Sequence, residues 1–403
     1  MNRGADDRPA PLAAVLAVTF AGSLSGGVFW AAIFFLTANH YGFPPERNLV
    51  LATVMGAVYA IGAATAGRLV RKLASSSSPR ALLMAALACW TIAALAPLLA
   101  PHTEVVMWAG ALLGAAASAV TWPIVESYLG AGRHGANMRA AIGWFNVTWT
   151  PATALALLLM PVVGHFSPLG TLSLSAAASA VALAAAFALP IRPGAHEADV
   201  ADAAVGREYR PLLRSVSWLL PTSYVLCSVM APLLPHRLAE VGGSTTGGLV
   251  PALWMIARFF TLIVMWRTGF WHGRWGTLVL AACTLAAGLA TILLAPTVTV
   301  VAAGLVIFGV GMGLTYYAAL YYALAVGRAE VDAGGTFEAL IGVGYFVGPL
   351  LGIAAVAVVP AHPGPATVTL VWLAAATGSA GAIRPYLAAR RARISAATSR
   401  KPS

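Results

Sequence analysis

The chain has 403 residues, of which 60% are hydrophobic and 9% charged, and its formal net charge is +11. Soluble domains carry about 25% charged residues, so water cannot solvate most of this surface, and lipid is the expected solvent. The positive charge is not the clustered basic groove that nucleic acid requires: it is almost all arginine, set singly in short connectors, with Lys72 and Lys401 the only lysines.

A bilayer-crossing helix needs about 20 mostly apolar residues, and the sequence predicts twelve in order. The first, 12–38, follows Arg3 and Arg8. It exceeds the apolar run of about 7–15 residues in a signal peptide and is read as a retained span. Segment 49–70 leads into a basic connector holding Arg71, Lys72 and Arg80. Segments 81–100 and 104–129 are separated only by Pro-His-Thr-Glu, and the second ends near Glu126, seven residues before Arg133. Segment 140–164 carries Trp144, Asn146, Thr148, Trp149 and Pro151, and 170–190 follows it.

The longest internal polar stretch, from Arg192 to Arg210, divides the chain near its middle and reads as a linker. Beyond it, 212–236 holds Thr222, Ser223 and Tyr224, and 248–267 holds Arg258 within an otherwise apolar run. Segments 275–295 and 297–324 nearly touch; the latter carries Thr315, Tyr316, Tyr317, Tyr321 and Tyr322. Segment 337–359 opens at Glu338 and contains Tyr345, and 366–389 precedes a basic tail.

With the N-terminus placed in the cytoplasm, all but three of the 24 lysines and arginines fall at the cytoplasmic face; the exceptions are Arg47, Arg237 and Arg258. The positive-inside rule selects this orientation: a multi-pass protein of the inner (plasma) membrane with both termini cytoplasmic. Thr121–Tyr128 (TWPIVESY) and Thr315–Tyr322 (TYYAALYY) are offset by 194 residues, and Pro151 and Pro349 by 198. Matching kink-forming prolines at matching depths suggest an internal duplication. The expected organisation is a bundle over 1–190, a cytoplasmic linker over 191–211, a second bundle over 212–389 and a basic tail over 390–403.

This pattern resembles the major facilitator superfamily, with its twelve transmembrane helices in two pseudo-symmetric six-helix bundles, and the resemblance spans nearly the whole chain. Three local motifs are similar to the family's. The connector from Gly67 to Arg80 keeps the leading glycine and basic residues of GxxxDRxGRR but has Arg71 at the acidic position. Glu126 and Arg133 match an ExxxxxxR pairing, which implies a cytoplasmic charge network in which Glu126 contacts Arg133, Arg139 or Arg71. Gly344, Gly348, Pro349 and Gly352 match the GxxxGPxxG core of an antiporter motif, in span eleven rather than the family's span five. The resemblance implies an all-α polytopic secondary transporter moving a small molecule by alternating access, with proton coupling; Arg258 and the aromatic residues point to an anionic or amphipathic substrate. It also implies that spans one, four, seven and ten line a central cavity, with two, five, eight and eleven beside them. Two alternatives are a non-transporting sensor or partner of another membrane protein, and a membrane-embedded transferase.

Arg258 is the strongest candidate for substrate contact. A charge at mid-bilayer costs about 2.5–3.5 kcal/mol and faces a cavity or partner; the alternative is a structural arginine on backbone carbonyls. No acid is expected at its depth. Asn146, Trp122, Tyr224, Tyr317, Tyr321 and Tyr345 are further substrate-binding candidates, although tyrosine and tryptophan also anchor helices at the membrane interface. Glu126, Arg133, Arg71 and Glu338 are coupling or gating candidates; Glu338 could equally serve the positive end of its helix dipole. Cys89, Cys227 and Cys283 stand far apart in apolar runs, and no histidine pair has metal spacing, so neither a cofactor nor a metal is expected. No P-loop, HExxH or GxSxG motif occurs, so an enzyme is not expected either. The expected partners are the substrate, the bilayer and protons, with the chain a monomer.

Overall fold

A computed structural model describes residues 9–398 except 74, 134, 168, 195–199, 245–246, 327–330 and 361–362; for helix residues 135, 166, 200–209, 324–326, 331–333, 389 and 392–398 it gives the backbone course alone. Among the described residues there are helices and no strands. In chain order these are α1 (Leu12–His40), α2 (Pro45–Lys72), α3 (Pro79–Leu99), α4 (Glu104–Gly130), α5 (Gly135–Phe166) and α6 (Gly170–Ala186). They continue as α7 (Val200–Glu240), α8 (Leu249–Arg267), α9 (Trp275–Leu294), α10 (Val298–Val326), α11 (Val331–Val358) and α12 (Pro363–Thr398).

Eleven of these helices are long and apolar enough to cross a membrane. The other, α6, has 17 residues. The two closest splits in the sequence are real: α3 ends at Leu99 before α4 starts at Glu104, and α9 ends at Leu294 before α10 starts at Val298. Helix starts follow local chemistry. Proline stands in the first turn of α2 and α3, where the missing N–H costs nothing. The Ser78 hydroxyl caps α3 by accepting from the Ala81 amide at 3.2 Å. Two boundaries move outward from the sequence expectation. Helix α7 begins at Val200, inside the segment read as linker, and α12 runs on to Thr398 through the basic tail. The linker residues 195–199 and tail residues 399–403 lie outside the described residues.

Large apolar side chains such as Leu99, Val105, Phe187 and Leu373 point outward. In a soluble protein that would be a liability; here it is the lipid-facing surface. Inside, small residues let the helices approach. A Cβ on Gly56 of α2 would lie 2.3 Å from the Tyr345 carbonyl oxygen of α11, and one on Gly348 of α11 would lie 2.3 Å from the Val225 carbonyl of α7. Helix α11 is thereby wedged between α2 and α7. The glycines at 344, 348 and 352, read from sequence as a motif, face Tyr224, Val225 and Leu49, so they form this packing seam. Helix α5 packs on α8, as α2 does on α11.

Within α1 the ladder opens into a single π turn at Val28–Ala32. The extra residue rotates the ring of Phe29 onto Trp90 of α3 while Trp30 faces Tyr59 and Tyr345 on α2 and α11. Such π turns recur where a helix must re-aim a side chain at a site.

Candidate functional site

A cavity of about 120 Å³ lies where the helices converge. Every helix except α3, α6, α9 and α12 contributes to its wall, including Trp30, Tyr59, Trp122, Tyr224, Arg258 and Glu338. Spans one, four, seven and ten, with two, five, eight and eleven beside them, therefore meet at one chamber, as the sequence resemblance implied.

Arg258 is 2% exposed and sits at mid-helix in α8. Its guanidinium carbon lies 4.5 Å above the Trp149 ring, 4.7 Å from Tyr316 and 5.9 Å from Tyr224. One terminal nitrogen donates to the Tyr224 hydroxyl at 3.1 Å, and Nε has no protein partner. Desolvated cation–π contacts are worth up to about 2 kcal/mol each. The rings therefore offset much of the cost of burying the charge while leaving Nε without a partner. Arginine suits this role because its planar fork stacks on ring faces and still presents N–H groups at its edge.

Opposite stands an aromatic wall. Trp30 and Tyr345 stack at 4.3 Å and 11°, Tyr59 meets both edge-on, and Tyr224 meets Tyr345 edge-on at 5.2 Å. The Tyr59 hydroxyl donates to the Glu338 carboxylate. Glu338 in turn lies within hydrogen-bonding reach of Glu126 on α4. No cation pairs with either acid within 4 Å among the described residues. Glu126 Oε1 has no protein partner, and neither have Asn146 Nδ2, Ser23 Oγ or Thr315 Oγ1. A buried polar atom left bare costs roughly 1–3 kcal/mol. Of these residues Ser23 lines the chamber itself, and unmet donors and acceptors of this kind are what a polar guest satisfies.

The structure gathers Arg258, Trp122, Tyr224, Tyr345 and Glu338 at the chamber. Asn146 is buried behind its wall, where its side-chain oxygen accepts from Trp149 Nε1 at 2.9 Å and so orients the ring under Arg258. Tyr317 and Tyr321 lie elsewhere: both pack edge-on against Trp271 in the α8–α9 connector, and Tyr321 stacks on His272 at 4.8 Å. Burial, with Arg139 nearby, holds the His272 imidazole below its ordinary range. The residue that faces the chamber is their neighbour Tyr316.

Three electrostatic expectations are corrected. The Glu126 pairing with Arg133 does not form. Arg133 donates to the backbone carbonyls of Tyr128 and Leu129 at 2.9 and 2.8 Å and to that of Ala10, because its side chain folds back over the end of α4. Glu126 forms no ion pair with Arg139 either; it turns inward to Glu338. Arg71 is exposed at the end of α2. Nor does Arg258 lack an acid in its surroundings: Glu338 lines the same cavity. Helix α11 starts at Val331, so Glu338 sits two turns inside it rather than at its dipole end.

Trp30, Tyr59, Trp149 and Tyr316 are wall residues that the candidate set omitted. Tyr59 carried a usable signal. It is a lone tyrosine in the middle of an apolar helix, far from either interface where tyrosine would serve as an anchor.

No curated protein sequence matches the chain at a significant level. Among solved structures, the fold is similar to the human organic anion transporter MFSD10, with a TM-score of 0.64 and 14% identity, covering 91% of this chain and 99% of that one. It is similar to the nucleoside transporter NupG at the same TM-score and identity, covering 93% and 98%. The profile of the Major Facilitator Superfamily matches residues 15–353, most of the chain, so the chain belongs to that superfamily of membrane transporters.

Proposed function

We propose that this protein is a secondary transporter that moves a small organic anion across the inner (plasma) membrane by alternating access, coupled to protons. The observation that supports the substrate class is Arg258: a buried guanidinium fork held between aromatic faces with a donor still free, in a chamber reached from eight helices. An anion placed there regains the hydrogen bonds and charge pairing that burial denied the guanidinium. The flanking tryptophan and tyrosine rings suit an organic body attached to that anionic group.

In this mechanism α1–α6 and α7–α12 are two six-helix bundles that rock about the chamber, all twelve helices crossing the membrane. The segment around 191–211 joins them on the cytoplasmic side, and both termini are cytoplasmic. Glu338 and Glu126 are the proton carriers, and the chain acts as a monomer.

The test is flux in proteoliposomes under an imposed pH gradient, with a panel of small organic anions first ranked by thermal stabilisation of the purified protein. Uptake driven by the gradient and lost in Arg258→Ala supports the proposal. Stabilisation by neutral or cationic compounds only, or undiminished flux in Arg258→Ala, would overturn it.

A further inference from the structure

Glu126 and Glu338 come from α4 and α11, which pack on each other. Both are buried, at 6% and 5% exposure. They face each other across the helix contact: Gly334 stands one turn before Glu338 on the same side of α11, and a Cβ on it would lie 2.9 Å from Glu126 Oε2 and 3.3 Å from the Pro123 backbone. Tyr59 of α2 donates to Glu338. Tyr316 of α10 and Tyr224 of α7 lie within electrostatic range, as do Tyr345 of α11 itself and Arg258 of α8. Arg258 is the only cation among them, and it forms no ion pair with either acid.

Two buried carboxylates in mutual contact cannot both be ionised. With one proton between them they form a charge-assisted hydrogen bond, which is short and strong. With none they repel across the α4–α11 contact. The bare Glu126 Oε1 and the bare Arg258 Nε, each on a side chain more than nine-tenths buried, show that the surroundings do not otherwise satisfy these groups.

We propose that Glu126 and Glu338 form one proton-binding site that clasps α4 to α11: a single shared proton holds the two helices together, and its loss drives them apart. The clasp deepens the proton-coupled reading above and rests on it, but it needs no substrate. The site titrates as a pair, so neither carboxyl has a proton of its own. Its opening is the step at which proton occupancy becomes a change in access.

The experiment uses the full chain in lipid nanodiscs at a series of pH values. Infrared difference spectra report the carbonyl stretch of protonated carboxyls. Spin labels on Lys72→Cys and Arg384→Cys, both at exposed positions, report separation at the basic end, with Cys89, Cys227 and Cys283 replaced by alanine. In the parent protein one protonated-carboxyl band should fade as pH rises, and the label distance should lengthen over the same range. Glu126→Gln supplies a permanent N–H donor to Glu338, and Glu338→Gln supplies one to Glu126. Each isosteric variant should lack the band and stay at the short distance at every pH. A parent spectrum without a titrating carboxyl band would overturn the clasp. So would a distance profile that both variants leave unchanged. Transport in proteoliposomes separates this from the functional reading: a protein with an intact clasp and no flux would sink the transport proposal alone.

Discussion

Arg258 is a buried guanidinium that must be stabilised in every state of the protein, and the three rings around it do this before any ligand arrives. Arg258→Ala should insert and fold, because a smaller neutral side chain removes a buried charge, yet flux should fall to background. Arg258→Lys is the sharper variant. An ammonium keeps the charge but cannot stack across Trp149 and Tyr316, and it loses the fork. Loss of about 1.4 kcal/mol of cation–π and bidentate contact would weaken substrate binding roughly tenfold, measured as a rise in the half-saturating concentration with the maximal rate less affected. Equal kinetics for the lysine variant would show that only net charge matters at this position. Trp149 has a related role at one remove, since Asn146 fixes its ring through the Nε1 hydrogen bond. Asn146→Leu should therefore weaken the same binding step although Asn146 does not line the chamber.

Among the helices, α11 does most to connect the parts. It carries Glu338 and Tyr345 into the chamber, and its glycine face lies against α2 and α7. Gly56 of α2 packs on the α11 backbone itself, with nothing flexible to yield. Gly56→Ala should therefore cost on the order of 1–3 kcal/mol of overpacking and lower the thermal transition in detergent. The added methyl also sits on the surface over which α2 and α11 must slide, so flux should fall further than stability alone explains. A variant with normal stability and normal flux would show that this seam is looser than its geometry. Gly164, where a Cβ meets nothing within 4 Å, is the control expected to tolerate alanine. Helix α1 illustrates a different device. Its π turn re-aims Trp30, an effect that no periodicity in the sequence announces.

For the molecule as a whole, the distribution of arginine and lysine makes a prediction about sidedness. In intact cells, a membrane-impermeant thiol reagent should modify Arg47→Cys and leave Lys72→Cys untouched, the two lying at opposite ends of α2. Reversed labelling would invert the topology. At the end that carries Arg47, the ion pair between Arg47 and Glu104 ties α2 to α4, and Arg237 donates to the Ala295 carbonyl, linking α7 to the α9–α10 turn. At the other end Trp271, His272, Tyr317 and Tyr321 form an aromatic plug.

The amino-acid sequence alone determined the solvent, the helix series and the family resemblance, because hydrophobic runs and connector charge are one-dimensional properties that survive without a partner. It also marked Arg258, since a guanidinium in an apolar run is costly wherever the helix points. What only the tertiary structure decided was direction. Tyr316 and Tyr317 are one residue and about 100° of helix apart: one faces Arg258 and the other packs on Trp271. No local pattern fixes the absolute rotation of a helix that is apolar on all sides. For the same reason Glu126 could be placed near a helix end but not turned away from Arg133 and toward Glu338, a partner 212 residues away along the chain, because that choice is made by the packing of α4 on α11.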